Sequence, residues 1–265
     1  MSSFWGSSFI FNGINSELYD LRIYDFSPSN PSTNPAGGEV SIYEKWLYKR
    51  ETPYYYGRYY QNPLEFDFTV GSYSYIDVAT RNAIESWLTG QSTYLPLRIV
   101  QDDMSIIVYN IIITQSSHVY IGNMNYALTL HARCDRPWGL HYPPLLSINY
   151  SSDTVSQTIT YLNESSFSGY NKPTITFTMN SSGGSFSITN QSENNRVFSF
   201  TDLIAGEKIT VDNDKGIISS STGLFRMENF NKNFLRLIQG KNILNLAGNI
   251  SQFTLSAIFP KGVGA

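Results

Sequence analysis

Few residue types in this sequence are disposed to do chemistry, and their spacing argues against most of what they could do. The three histidines, His118, His131 and His141, stand at no metal-ligand spacing from one another or from a set of carboxylates. His131 is close to Cys134, the single cysteine. A zinc site needs three or four such ligands, and nothing completes the set. Cys134 is flanked by Arg133, Asp135 and Arg136. Arginines favour a reactive thiolate, whereas a lone cysteine more often serves as a small buried apolar residue. A single cysteine also excludes an internal disulfide. No G-x-S-x-G nucleophile elbow occurs, and neither GxxxxGK[ST] nor GxGxxG is present to cradle phosphates. The adjacent Asp102 and Asp103 could act on a glycosidic bond only from a pocket; between Gln101 and Met104 they read as a turn. Asp212-Asn213-Asp214-Lys215-Gly216 begins like a calcium loop but lacks the third ligand and the closing Glu. It reads as a hairpin turn, for which Asp, Asn and Gly are suited. The expectation is therefore no catalytic set, no cofactor and no metal: not an enzyme.

The run Tyr54-Tyr55-Tyr56-Gly57-Arg58-Tyr59-Tyr60 is the oddest local feature. Stacked tyrosines could bind sugar rings or single-stranded nucleic acid, but the latter also wants a basic groove and the run offers only Arg58. Tyrosines equally suit a strand whose exposed face meets another chain, and that reading is favoured.

Composition says what must position these residues. The chain has 265 residues, 15% of them aromatic and only 15% charged. That excludes a coiled coil and a disordered chain, and a polar, uncharged, aromatic background favours sheets. The net charge of −3 implies no broad attraction to DNA or to an anionic membrane. Up to Leu140 there are 9 Lys and Arg against 13 Asp and Glu, and beyond it 9 against 8. The N-terminus has no basic or long apolar segment resembling a signal peptide, and the apolar stretch from Ile106 to Ile113 is too short to span a bilayer.

Periodicity predicts strands at Phe9–Gly13, Glu17–Phe26 and Val40–Arg50, with a Pro/Ser/Asn/Gly loop, Ser27–Glu39, between the last two. Ile42, Trp46 and Tyr48 are apolar among interleaved charges. The segment Leu21–Arg50 therefore reads as an extended β-arm, poorly covered by its own chain and suited to packing on a neighbour. Leu64–Val70 alternates cleanly. One helix is expected at about 75–89, N-capped by Ser74, with Gly90 after it and Trp87 and Leu88 pinning it to a sheet. Strands follow at Leu95–Ile99, Met104–Thr114, His118–Ile121 and Met124–Ala132, with Gly122-Asn123 as a tight turn. Arg133–Pro144 marks a domain boundary. Beyond it, strands are expected at Thr174–Met179, Ser185–Thr189, Val197–Phe200, Lys208–Val211, Ile217–Ser220, Asn242–Ala247 and Gln252–Phe259, about eight in all, as in a β-sandwich.

The order of these features is specific. FIFNGINSELYDLRIYDF resembles the opening of the distal tail proteins of long-tailed, siphovirus-type bacteriophages. ETPYYYGRYYQNPLEFDFTV resembles the segment after that family's arm, and the helix ending Ile84-Glu85-Ser86-Trp87-Leu88 looks like its single N-domain helix. The strand running into Thr129–Pro137 resembles its domain-ending aromatic/Cys-x-Asp-x-Pro signature. Asn171-Lys172-Pro173, Gly206–Asp212 and Gln239–Ile243 fit its galectin-like second half. The resemblance spans essentially the whole chain. It implies a mainly β protein with two domains. The first, 1–142, is a β-sandwich-like ring-forming domain with one helix and an arm at about 24–50. The second, 143–265, is a galectin-like β-sandwich. It further implies a structural virion protein of the tail tip, assembled in the host cytoplasm as a homo-hexameric ring. Such a ring joins the tail tube protein to the tail-tip hub, the tape-measure protein and the receptor-binding or baseplate proteins. DNA passes through its channel without sequence-specific binding, and nothing inserts into a membrane. Inter-subunit contacts are expected at Tyr24, Ile42, Trp46, Tyr48, Tyr55 and Tyr59. The alternative is a protein binding host-surface polysaccharide, with Tyr161, Phe167 and Tyr170 as its only aromatic candidates.

Overall fold

The computed structural model describes residues 8–25, 40–100, 106–152 and 154–262. The chain divides into two compact units, the first made of Met1–His141 with Lys261–Ala265 and the second of Tyr142–Pro260. The expected Ser27–Glu39 loop and the Asp102-Asp103 pair lie outside the described residues.

In the first unit β1 (Ser8–Phe11) turns through Asn12-Gly13 into β2 (Ile14–Asn15). Both turn residues have positive φ, 50° and 78°, the geometry that Asn-Gly supplies most readily. A 3-10 turn, Ser16–Tyr19, comes next, and then β3 (Arg22–Asp25). The expected strand from Glu17 is thus corrected at its start. Asn15 caps the turn by accepting from the Glu17 N–H, and Ser16 is fully buried, bridging Phe9 N and Leu21 O. Next come β4 (Val40–Lys45), β5 (Tyr54–Tyr60), β6 (Glu65–Gly71), α1 (Val78–Thr89), β7 (Leu95–Val100), β8 (Ile107–Ile121), β9 (Met124–Cys134) and β10 (Gly139–His141).

The main sheet runs β2-β1-β7-β8-β9-β6-β3, and β10 also pairs with β8. Alternation works as expected on β6: Phe66, Phe68 and Val70 are buried, while Glu65 and Asp67 are exposed. Three strands separate β1 from β6, yet Phe9 meets Phe68 edge to face at 6.2 Å. The sheet therefore curls back on itself, giving one core between its two ends. Helix α1 seals that core with Ile84, Trp87 and Leu88. The Trp87 ring lies parallel to Phe9 at 5.7 Å, and its indole N–H donates to Phe11 O at 3.1 Å. The helix is capped by Asp77, which accepts from Ala79 N and Thr80 N, and not by Ser74. Strand β8 is one continuous 15-residue strand rather than two. Its middle, Gln115-Ser116-Ser117, is polar on both faces, so periodicity shows no strand there. The ladder to β9 continues across it with a register shift at Ile113/Gln115.

The second unit contains β11 (Leu146–Asn149), β12 (Val155–Asn163), β13 (Thr174–Met179), β14 (Gly184–Asn190), β15 (Arg196–Leu203), β16 (Lys208–Asp212), β17 (Ile217–Ser220), β18 (Gly240–Gly248) and β19 (Ile250–Ser256); a last short strand, β20, spans Phe259–Lys261. Two antiparallel sheets, β11-β19-β13-β16-β17 and β12-β18-β14-β15, form a sandwich. Phenylalanines interlock across it: Phe177 meets Phe186 at 4.4 Å and Phe200 at 5.7 Å, and Phe186 meets Phe253 at 6.1 Å. The long segment after β17 is held by a buried ion pair. Glu207, fully enclosed, accepts from Arg226 Nε at 2.8 Å and Nη2 at 2.6 Å, from Ser220 Oγ at 2.5 Å and from Ile204 N at 2.9 Å.

A candidate subunit interface

Strands β4 and β5 pair only with each other. Their register sets Val40 opposite Tyr60, Ser41 opposite Tyr59 and Ile42 opposite Arg58. A bulge follows at Tyr43/Glu44, where Gly57 adopts φ +132°. That conformation is essentially closed to a residue with a Cβ, so glycine in the tyrosine run marks the bulge. The bulge sets Tyr43 against Tyr56, ring to ring at 5.2 Å. At the far end Trp46 Nε1 donates to Glu44 Oε1 at 3.1 Å, and the Arg50 guanidinium sits 3.8 Å over the Tyr54 ring. At the near end Tyr60 packs edge-on against Trp138 at 5.1 Å.

An isolated two-stranded hairpin is marginal in water, and this one is apolar on both faces. Ile42 is 63% exposed, Trp46 60%, Tyr48 92%, Tyr55 64% and Tyr59 54%. Val40, Tyr43, Leu47 and Tyr56 are exposed as well; of these only Tyr56, as part of the tyrosine run, had been singled out. Tyr56 sits in the same tyrosine run, but the bulge that presents Tyr43 beside it is a tertiary feature. Tyr24 stands apart from its expected companions. It lies half-buried on β3 in the main sheet, T-stacked on Tyr73 at 5.7 Å, and burial followed by the neighbouring Tyr73 raises its phenol. Leu21 and Ile23 are fully buried core residues, so the described part of the projecting element is Val40–Tyr60, not a strip beginning at Leu21.

Charge sets the hairpin apart too. Residues 40–60 carry four Lys and Arg against two Asp and Glu, in a chain with 18 against 21 overall. The hairpin is a cationic, aromatic element on an otherwise acidic protein.

The residues weighed for chemistry are placed in structural roles. Cys134 is buried; desolvation, with a contribution from Asp135, pushes its thiol up to about 12 against the opposing pull of Arg136, so no thiolate forms near neutral pH. His131 Nδ1 lies 2.5 Å from Asp67 Oδ1, across the β6–β9 ladder. His118 Nε2 lies 2.5 Å from Glu85 Oε1, tying the end of β8 to the helix. His141 Nδ1 contacts Ile106 O at 3.0 Å. Asp212 accepts from Asp214 N and Lys215 N at 3.1 and 3.0 Å, closing the β16–β17 hairpin as a turn does. The backbone hydrogen bond from Lys215 is the main reason its carboxyl is held below the usual range. The three aromatics weighed for the alternative, sugar-binding reading differ in exposure. Tyr161 is buried beside Phe259, Phe167 is half-buried, and Tyr170 is stacked under the Arg236 guanidinium at 3.9 Å.

Comparison with known proteins bears on this geometry. Residues 4–136 match the family described as phage tail protein N-terminal domain, and residues 140–257 match phage tail C-terminal domain. The Dit protein of phage SPP1, described as a paradigm of the hub adsorption apparatus in phages infecting Gram-positive hosts, superposes with a TM-score of 0.65; the match covers 96% of this chain and 99% of that one at 14% identity. A chain of the phage P2 baseplate, in its activated conformation with Ca, superposes with a TM-score of 0.50 over 96% of this chain and 97% of its own at 8% identity. No curated protein sequence matches. At these identities the structural likeness is one of fold.

Proposed function

Because this chain belongs to the phage tail protein family, matching its N- and C-terminal domains alike, we propose that it is a distal tail protein, a non-enzymatic adaptor that assembles as a hexameric ring between tail tube and tail tip. The observation that carries this reading is the Val40–Tyr60 hairpin, apolar on both faces and cationic on an acidic chain. A closed ring needs a heterologous contact, in which one patch meets a different patch on the next subunit. A projecting element with several exposed aromatic anchors supplies one half of such a contact. Opposite charge on the receiving surface would steer the docking. Ile42, Trp46, Tyr48, Tyr55 and Tyr59 are the proposed contact residues. Tyr24, half-buried on β3, is proposed as a lesser contact beside them. The ring would enclose a channel for DNA, and a mildly acidic chain suits that role because cationic walls would hold phosphates by releasing counterions. The second domain would carry host-recognition or baseplate parts at the virion's tail tip.

Light scattering with negative-stain imaging tests the proposal. A species near six times 29.9 kDa with six-fold rings is expected. Ile42→Asp combined with Trp46→Asp should abolish it while both units melt as before. A double variant that still assembles would remove the hairpin from the interface.

A further inference from the structure

The second unit holds a cleft of about 290 Å³, away from the hairpin proposed for the ring contact in sequence and in unit. Lys172, Arg196, Lys215 and Arg236 line it, four of the nine cationic residues after Leu140, with Asp214 the only carboxylate among its lining residues. They arrive from four separate stretches: before β13, at the start of β15, in the β16–β17 turn, and in the segment before β18.

One buried side chain fixes these stretches together. Asn213 donates to Pro173 O at 2.6 Å and accepts from Leu235 N at 2.8 Å. It thereby sets the positions of Lys172, Lys215 and Arg236 relative to one another. Arg196 is tied to the same segment, donating from Nε to Phe234 O at 3.4 Å. The floor is organised before any ligand arrives, which is what a binding site on a rigid scaffold requires.

The lining has a mixed chemistry. Lys172 pairs with Asp214 at 3.5 Å, Lys215 pairs with Asp212 at 3.5 Å, and Arg236 pairs with Glu193. Arg196 has no carboxylate partner among the described residues. The cleft therefore keeps an excess of positive charge and, in Asp214, a hydroxyl acceptor beside it. Phe234 adds an apolar wall. Cations for an oxyanion, a carboxylate for hydroxyls and a ring for C–H faces together describe an acidic saccharide. Its volume lies at the small end of ligand sites, about 300 Å³, which suits a sugar unit or two.

We propose that this cleft binds the acidic group of a charged polysaccharide, with Lys172, Lys215 and Arg196 holding a phosphate or carboxylate and Asp214 a neighbouring hydroxyl. The proposal is independent of ring formation. The test titrates the full chain calorimetrically with phosphomannan, polygalacturonate, neutral mannan and single-stranded DNA. At least one charged polysaccharide should bind, and the comparison of the first two says whether phosphate or carboxylate is preferred. Lys172→Glu with Lys215→Glu, both exposed, should weaken that binding at least tenfold. Lys232→Glu with Lys241→Glu, an equal change of charge elsewhere on the domain, should leave it within twofold. Mass in solution and melting temperature, read on the same samples, separate loss of the cleft from loss of the ring or the fold. Equal binding of neutral mannan, equal weakening by the control pair, equal competition by single-stranded DNA, or binding of neither charged polymer would overturn the proposal.

Discussion

Two aromatic-rich regions of this chain meet opposite fates. In the second unit Phe177, Phe186, Phe198, Phe200 and Phe253 are all buried within the sandwich. In the first, Tyr54, Tyr55, Tyr56 and Tyr59 stay in solvent. The difference lies in what separates the rings. Phe177 sits between Thr176 and Thr178, and Ser199 separates Phe198 from Phe200. Each strand thus has one apolar and one hydroxyl face, and the apolar face is closed by the opposite sheet. Tyr54-Tyr55-Tyr56 places rings on both faces, and one chain cannot cover both with a single partner strand. Strict alternation marks a face buried by its own chain; unbroken aromatic content leaves rings that its own chain does not cover.

The comparison breaks first at its buried end. Phe177→Ala should cost about 3–5 kcal/mol, the range for large aromatic deletions from a core. Chemical denaturation monitored in the second unit reads it directly. A loss within about 0.5 kcal/mol would mean that the two sheets do not depend on this contact.

The ion pair under the same sandwich comes next. Burial alone would raise the Glu207 carboxyl, but the hydrogen bonds from Arg226, Ser220 and Ile204 N outweigh it and hold it at about 2, against 4.5 unperturbed. Because the folded value is depressed, the stabilisation is complete above pH 4.5 and is lost as pH falls towards 2. Arg226→Ala would leave that carboxylate enclosed without its cation, and the loss should approach the 3–5 kcal/mol typical of a broken buried pair. The variant's stability should depend less on pH between about 4.5 and 2 than the parent's does. Parallel pH curves for the two would refute the assignment.

Much of this architecture could be read from the residues, and the exceptions share a cause. Thr174–Met179 matches its expected bounds because apolar residues alternate there, and Ile217–Ser220 does so because the Asp212–Gly216 turn fixes its start. Strand β12 was not anticipated. It is the edge strand of its sheet, and its inward residues include the polar Asn163, whose amide reaches Leu237 O and Ile238 O. Gln157 and Asn163 interrupt the period that Val155, Ile159 and Tyr161 would otherwise show. The middle of β8 was missed because Gln115-Ser116-Ser117 is polar and exposed, so no apolar face repeats there. The helix start shifted from Ser74 to Asp77 because Ser74 N is engaged by Ser72 Oγ in the preceding turn. The hairpin residues were legible as uncovered surface. The cleft around Asn213 was not, because its cations are far apart in sequence and only the fold brings them together.

The hairpin end of the comparison yields smaller effects on stability. Gly57→Val forces a β-branched residue into φ +132°, with a local cost of about 1–3 kcal/mol. No residue of β4 or β5 belongs to the buried core, so the melting temperature should hold. Faster trypsin cleavage at Lys49, Arg50 and Arg58 is the expected readout.

Tyr55→Ser with Tyr59→Ser should change least of all. Both rings are exposed, and surface substitutions of this kind stay within about 0.5 kcal/mol. Their effect should appear only when subunits meet, because rings left mostly in solvent by their own chain have that area to offer a partner. Sedimentation across a concentration series separates the cases. A shift of the assembly midpoint to higher concentration, with an unchanged melt of the dissociated chain, keeps the two aromatic populations distinct in purpose as well as in burial. An unchanged midpoint would mean that these two tyrosines face solvent in the assembly too, and that Ile42, Trp46 and the other hairpin residues hold the contact without them.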